Sequence, residues 1–194
     1  MALQFINRRG EVYYINAKGS GNKKAFSASR KPSGVPLNSL PEGYEIYERP
    51  ESAQVFVRRI KPTLILPAEH QRVQDAIRKL ARLDHFIVDV ENTSLVVYIT
   101  DAERDVSLVL MTEIASMTAD QMQSAKAFML THARYEKMMR FKLVEKNQRR
   151  FNAERWCFVS GIEDWYFLDG DKPLADLLQV YIPHLGKESF FELM

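Results

Sequence analysis

The chain contains few of the residues that cross-link proteins or bind metals. Of its 194 residues only one is cysteine, Cys157, and four are histidine. A single cysteine excludes an internal disulfide and a Cys-x-x-Cys metal site, and it is typical of a protein of the reducing cytoplasm. The histidines are far apart in the sequence, and none forms an HxH or HExxH pair of metal ligands. We therefore expect neither a bound metal nor a cofactor.

Long apolar segments are also missing from the sequence. The N-terminal residues include no apolar run of the length found in signal peptides, and no segment approaches the ~20 apolar residues of a membrane span. The composition, 46% hydrophobic and 27% charged, is that of a folded chain. We therefore expect a soluble, cytoplasmic protein that does not bind membranes.

The sequence shows no arrangement of residues that is typical of an active site. Cys157 lies in an apolar stretch, where a buried thiol is expected rather than a nucleophile. Residues 18–24 are rich in glycine and lysine but lack the GxxxxGK[ST] spacing of a phosphate-binding loop. Carboxylates that could bind a metal occur in two groups, which are Asp89, Glu91, Asp101 and Glu103 and, further along, Glu163, Asp164, Asp169 and Asp171. The sequence favours a non-enzymatic protein, with a metal-dependent hydrolase or nuclease as an alternative.

Hydrophobic periodicity predicts a mixed α+β protein. Alternating apolar residues predict strands at Glu11–Asn16, Lys24–Ser29, Tyr44–Glu48, Gln54–Arg59, His85–Val90, Ser94–Thr100, Met138–Glu145, Phe151–Phe158 and Trp165–Leu168. Apolar residues at helical spacing predict helices over residues 68–82, from a Thr118–Gln121 capping box to about Ala133, and over 174–185. The apolar run Val106–Met111 fits either a strand or a buried helix.

These elements predict two domains. Residues 1–62 are expected to form a small basic β-hairpin unit with a proline-rich linker at 31–41, and residues 63–194 a mixed α+β domain that ends in an amphipathic helix. The predicted core comprises Ile77, Leu80, Val88, Val90, Val97, Ile99, Met129, Trp156, Leu177, Leu178 and Ile182.

Positive charge is concentrated near the N-terminus. The whole chain has a net charge of +2, but residues 1–62 contain 11 Lys and Arg against five Asp and Glu, a net charge of +6. Residues 63–194 contain 16 against 20, a net charge of −4. Within the predicted N-terminal hairpin the basic residues alternate with aromatic ones, a combination that suits an anionic partner with stackable rings, such as a nucleic acid.

Two parts of the chain resemble a family of uncharacterised bacterial proteins with no assigned function. At the N-terminal end the resemblance rests on Tyr13-Tyr14, Phe26–Arg30, Leu40–Glu48 and Gln54–Arg59. Towards the C-terminus it rests on Arg155–Phe158, Glu163–Phe167 and Pro183–Phe191. The resemblance implies a bacterial source and a fold that uses both ends of the chain.

The distribution of charge and rings leads to a functional prediction. We expect a protein that contacts the backbone of DNA or RNA through its N-terminal hairpin, with a second basic segment near residue 150. The predicted contact residues are Lys18, Lys23, Lys24, Arg30, Lys31, Tyr13, Phe26, Arg149 and Arg150. Tyr14 is a further candidate for stacking; it and Tyr13 are neighbours in a strand and face opposite sides, so at least one of the two is expected to lie in the core. The alternative is a protein–protein adaptor, a subunit of a larger complex or a self-associating chain.

Overall fold

A computed structural model shows a mixed α+β fold. It describes residues 2–19, 24–100, 118–159 and 162–193. The strands of these residues are β1 (Gln4–Ile6), β2 (Val12–Lys18), β3 (Ala25–Ser29), β4 (Val35–Pro36), β5 (Tyr44–Glu48), β6 (Val55–Arg59), β7 (Phe86–Glu91), β8 (Ser94–Thr100), β9 (Tyr135–Glu145), β10 (Arg150–Val159) and β11 (Ile162–Pro173). The helices are α1 (Pro67–Ala76), α2 (Ala119–His132) and α3 (Leu174–Tyr181). The apolar run Val106–Met111 lies outside the described residues.

The chain divides into two compact units. The first comprises Met1–Lys61 and Arg104–Arg134, and the second comprises Pro62–Glu103 and Tyr135–Met194. Helix α2 therefore belongs to the first unit, although it follows β8 of the second unit in the sequence. The domain boundary at residue 62 stays a prediction.

Two small sheets form the strands of the first unit. In one sheet β2 is central and pairs antiparallel with β1, β3 and β4; in the other β5 pairs antiparallel with β6. Tyr13 and Ile15 of β2 are buried, as are Ala53 and Val55 at the start of β6. The buried Asn7 side chain donates to the Ala53 carbonyl at 2.8 Å, so the turn after β1 is tied to the β5–β6 connection.

Helix α2 begins with the capping box that the sequence predicts. The Thr118 hydroxyl accepts a hydrogen bond from the Gln121 backbone N–H at 3.3 Å, and the Gln121 side chain accepts one from the Thr118 N–H at 2.9 Å. Two of the amide groups that have no partner within the helix are satisfied in this way. The predicted start of this helix is confirmed.

The second unit contains a five-stranded antiparallel sheet in which β7, β8, β9, β10 and β11 lie in sequence order. Helices α1 and α3 pack against the sheet, and their apolar side chains share one core with the strands. Six predicted core residues are confirmed as buried, namely Ile77, Val88, Val97, Leu177, Leu178 and Ile182. Leu80, Val90 and Ile99 are partly buried against that core, whereas Met129 and Trp156 are half-buried and lie outside it.

The helix predicted over residues 68–82 is present but is not regular to its end. α1 passes into a π-helical turn at Ile77–Ala81, and the left-handed backbone of Arg82, with φ of 58°, ends it. The C-terminal segment changes in a similar way, because α3 passes into a 3-10 turn at Ile182–His184. Pro183 cannot donate the backbone hydrogen bond that would continue an α-helix there.

Candidate nucleic-acid interface

Three acidic residues of the first unit, Glu11, Glu45 and Glu48, are paired with arginines. Arg8 Nη1 lies 2.7 Å from Glu48 Oε1, and Arg58 Nε lies 2.7 Å from Glu45 Oε1. Arg30 Nη2 lies 2.7 Å from a carboxylate oxygen of Glu11. Each pair brings opposite charges into direct contact, so the three pairs as such add no net charge to the unit.

Lysines supply a further part of the positive charge. Lys18, Lys24 and Lys31 are exposed, and no ion pair among the described residues includes any of them. A lysine ammonium group is a compact charge on a flexible stem, which suits contact with a phosphate but not the reading of a base. Lys23, the fourth lysine predicted in this segment, lies outside the described residues.

Strand pairing fixes where these lysines lie. Lys18 is the last residue of β2 and pairs with Ala25, the first residue of β3. Lys24 immediately precedes β3, and Lys31 follows it by two residues. At a rise of about 3.3 Å per residue, Ala25 and Ser29, the two ends of β3, are about 13 Å apart. Lys18 and Lys24 therefore lie at one end of the β2–β3 strand pair, on opposite faces, and Lys31 lies beyond the other end.

The three aromatic residues of this region occupy different environments. Tyr13 is only 4% exposed, and its hydroxyl accepts a 3.4 Å hydrogen bond from Arg30 Nε. Phe26 is half-buried and packs edge-to-face on Tyr44, with ring centroids 4.7 Å apart. Because successive side chains of a strand alternate, Tyr14 shares the face of Lys18 and not that of Tyr13. Tyr14 is half-buried, and about 13 Å of strand separates it from Lys18.

Arg30 is held in place by two partners. Its guanidinium contacts both Tyr13 and Glu11, and its side chain is still 63% exposed. The hydrogen bond to Tyr13, with a smaller contribution from the charge of Glu11, raises the pKa of Arg30 above its ordinary value. Arg30 is therefore a fixed positive charge whose outer nitrogen atoms are accessible to an anion.

Arg149 and Arg150, the predicted contacts of the second unit, differ in the number and strength of their hydrogen bonds. Arg149 Nε donates to Glu69 Oε1 at 2.8 Å, and Arg149 Nη2 contacts Glu69 Oε2 and the Leu64 carbonyl. Glu69 is buried and also accepts a hydrogen bond from the Leu66 N–H at the start of α1. Arg150 makes one long hydrogen bond, 3.4 Å, to the Asp171 carbonyl. The guanidinium of Arg149 is thus engaged within its own unit, and that of Arg150 is largely available.

Metal binding and acid–base chemistry find little support in the described residues. Among them no group of three or more His, Cys, Asp and Glu side chains could hold a metal ion. Two of the candidate carboxylates accept hydrogen bonds from their own strands: Asp89 from the Val90 N–H at 2.9 Å and Asp164 from the Trp165 N–H at 2.7 Å. The remaining pair of the first predicted group, Asp101 and Glu103, lies outside the described residues.

Sequence reasoning missed a cluster of cations and rings on β9, β10 and β11. Trp156 and Trp165 pair across β10 and β11 with ring centroids 5.0 Å apart. Arg140 lies 4.5 Å from the Trp165 ring and Lys137 lies 5.3 Å from the Trp156 ring. The two tryptophans are nine residues apart, and only the register of the strand pair reveals that they are opposite each other. Arg140 is also bound to Glu154 by a 2.6 Å hydrogen bond from its Nε.

Comparison with known proteins finds no match: neither a protein-family model, nor a curated protein, nor a solved structure matches the chain. Within the described residues, no helix combines the length and the apolar character needed to cross a membrane.

Proposed function

We propose that the protein binds nucleic acid through its N-terminal β-hairpin unit, with little preference for base sequence. In this proposal the hairpin unit is the binding element, and the α+β domain that follows it ends in an amphipathic helix and carries no catalytic site. The observation that supports the proposal best is the segregation of charge in the first unit. Carboxylates are paired with Arg8, Arg30 and Arg58, and the exposed ammonium groups of the β2–β3 strand pair have no partner among the described residues.

The proposed contacts follow from this segregation. Lys18, Lys24 and Lys31 contact phosphates, and Arg30 adds a fixed charge next to Lys31. Lys23 and Arg150 contribute further phosphate contacts. The distance of about 13 Å between the two ends of β3 corresponds to about four nucleotide steps at 3.4 Å each, so one bound strand can reach both ends. Arg149 is assigned a structural role, because its guanidinium is engaged by Glu69.

In this proposal the Tyr14 ring stacks on a base, and the Phe26 ring makes a smaller contribution. Tyr13 is too well covered to stack on a base in this conformation. A ring that stacks on a base contributes about 1–3 kcal/mol to single-strand binding, whereas paired bases of a duplex are not accessible to it. Replacing Tyr14 by leucine should therefore weaken binding of a single strand at least fivefold and leave duplex binding within about twofold.

The experiment is a salt-titrated binding measurement on single-stranded and duplex oligonucleotides of random sequence. The three contacts by Lys18, Lys24 and Lys31 contribute about −2.7 to the log–log slope for duplex and about −2.1 to that for single strands. The variant Lys18→Gln/Lys24→Gln/Lys31→Gln should flatten the slope by about that amount. The matched control, Lys79→Gln/Lys142→Gln/Lys146→Gln, removes the same charge from exposed positions of the second unit and should leave the slope unchanged. Equal slopes for the two variants would show that only net charge matters and would overturn the proposal.

We also place the protein in the cytoplasm of a bacterium, in keeping with its single cysteine and with the family resemblance of its two ends. Fractionation of cells that express the tagged chain would test this location, and recovery in the membrane or periplasmic fraction would refute it.

A further inference from the structure

The two edge strands of the five-stranded sheet, β7 and β11, have different surroundings. At β7, the ring nitrogen Nε2 of His70 lies 2.9 Å from the Val88 carbonyl, so α1 covers part of this edge. At β11, the other edge, no backbone-to-backbone hydrogen bond among the described residues joins the strand to any strand but β10. In an antiparallel pair every second residue directs its N–H and C=O away from the neighbouring strand. The outer side of β11 therefore has no strand partner among the described residues, and its outward backbone groups are attachment points for an added strand.

The first half of β11 pairs with β10 in regular register, and the second half does not. Register is continuous from Ile162 to Phe167 and then shifts twice on the way to Pro173. Such irregularities bend a strand and oppose the addition of another. The segment Ile162–Phe167, six residues long, is therefore the part of the edge where a strand can dock.

Two large rings are exposed on that segment. Tyr166 is 45% exposed and Phe167 is 56% exposed. As neighbours in a strand they face opposite sides of the sheet, so an added strand would cover part of both rings with alternate side chains. Exposed rings of this size are uncommon on a free edge and are enriched at interfaces.

The charges on β11 indicate which kind of strand can dock against it. β11 contains four carboxylates against one ammonium group, and that ammonium group, on Lys172, is paired with Asp169 at 2.6 Å. Glu163 and Asp164, which lie within the regular segment, have no ion pair among the described residues. A second copy of β11 fits poorly, because an antiparallel pair centred on the two rings sets Asp164 of one copy opposite Asp169 of the other, and like charges in that position are destabilising.

We propose that the outer edge of β11, over Ile162–Phe167, binds an extended basic segment of another protein by strand addition. The docking strand places lysine or arginine side chains near Glu163 and Asp164 and apolar side chains over Tyr166 and Phe167. In the free protein Asp164 Oδ1 accepts the Trp165 N–H at 2.7 Å. A backbone carbonyl of the docking strand takes over that amide and releases the carboxylate to pair with a basic side chain. This surface is independent of the proposed nucleic-acid interface.

The test uses a blocked synthetic peptide of about eight residues in which pairs of lysines alternate with pairs of valines, so that each face of the extended peptide carries both kinds of side chain. Tryptophan fluorescence reports on this surface alone, because the only two tryptophans of the chain, Trp156 and Trp165, lie on β10 and β11. We expect a saturable change in fluorescence below about 1 mM peptide. A peptide of the same sequence with every second amide N-methylated, and one with glutamate in place of lysine, should both fail to bind.

Two variants locate the site. Glu163→Gln/Asp164→Asn removes two surface charges but keeps hydrogen-bond acceptors, and it should weaken peptide binding about three- to tenfold and reduce its dependence on salt. The variant Lys18→Gln/Lys24→Gln/Lys31→Gln should bind the peptide normally, whether or not it still binds nucleic acid. The proposal is overturned if the peptide does not bind, or if the N-methylated peptide binds equally well. It is also overturned if sedimentation shows a dimer that Phe167→Lys abolishes, since the edge would then be filled by a second copy.

Discussion

Replacing Arg149 by alanine should destabilise the second unit strongly while leaving nucleic-acid binding by the folded protein unchanged. The substitution removes the hydrogen bonds from Arg149 to Glu69 and to the Leu64 carbonyl. It leaves Glu69, which is only 7% exposed, with its charge unpaired and with the Leu66 N–H as its remaining hydrogen-bond donor. Removal of one partner of a buried pair costs about 3–5 kcal/mol. The lower end applies, because the Arg149 side chain is 26% exposed and water can enter the vacated space.

Urea unfolding followed by tryptophan fluorescence measures this loss in the second unit. With a slope of about 2 kcal/mol per molar, a loss of about 3 kcal/mol lowers the midpoint by about 1.5 M. Arg150→Ala is the matched control, because it removes the same charge from the next residue and only one 3.4 Å hydrogen bond; its effect should stay within about 0.5 kcal/mol. Equal midpoints for the two variants would refute a structural role for the Arg149–Glu69 pair.

Two further substitutions test other contacts. Gly34→Ala should destabilise the first unit more than Gly10→Ala, by about 1–3 kcal/mol in thermal unfolding: both glycines have a positive φ, but an added Cβ at Gly34 would lie 2.7 Å from the Ala17 carbonyl oxygen, while Gly10 has open space. Equal losses would contradict the close approach. The hydrogen bond from Lys172 lowers the pKa of Asp169, so the stability from this pair is present above about pH 4 and is lost as the pH falls through the lowered pKa of the folded state. Asp169→Asn should therefore be less stable than wild type at pH 7 and equal to it in strong acid, and a difference that persists in acid would refute this assignment.

Strands that are determined by the pattern of a few neighbouring residues could be predicted from the sequence. Tyr44–Glu48 and Ser94–Thr100 have the predicted bounds, because alternation and a neighbouring turn determine each of them within a few residues. β11 extends on both sides of the predicted Trp165–Leu168. The Asp-Gly-Asp sequence at residues 169–171 is typical of a turn, yet the strand continues through it with irregular register and a positive φ at Asp171. Only pairing with β10 keeps this segment extended.

The candidate site depends on pairing that no local pattern contains. The sequence predicts a basic N-terminal region, but it does not distinguish the arginines that are bound to carboxylates from the lysines that are free. Glu69, the partner of Arg149, lies 80 residues away along the chain. The alternation of Tyr13 and Tyr14 predicts that one ring is buried, and the position of β2 in the fold decides that it is Tyr13.

The most direct test of the proposed nucleic-acid interface is lysine footprinting. The protein is acetylated with a limiting amount of reagent, with and without a saturating oligonucleotide, and the modification of each lysine is measured by mass spectrometry. The account predicts that Lys18, Lys24 and Lys31 are protected at least severalfold while Lys79 and Lys142 react equally in both samples. Uniform protection of all lysines, or protection confined to the second unit, would contradict it.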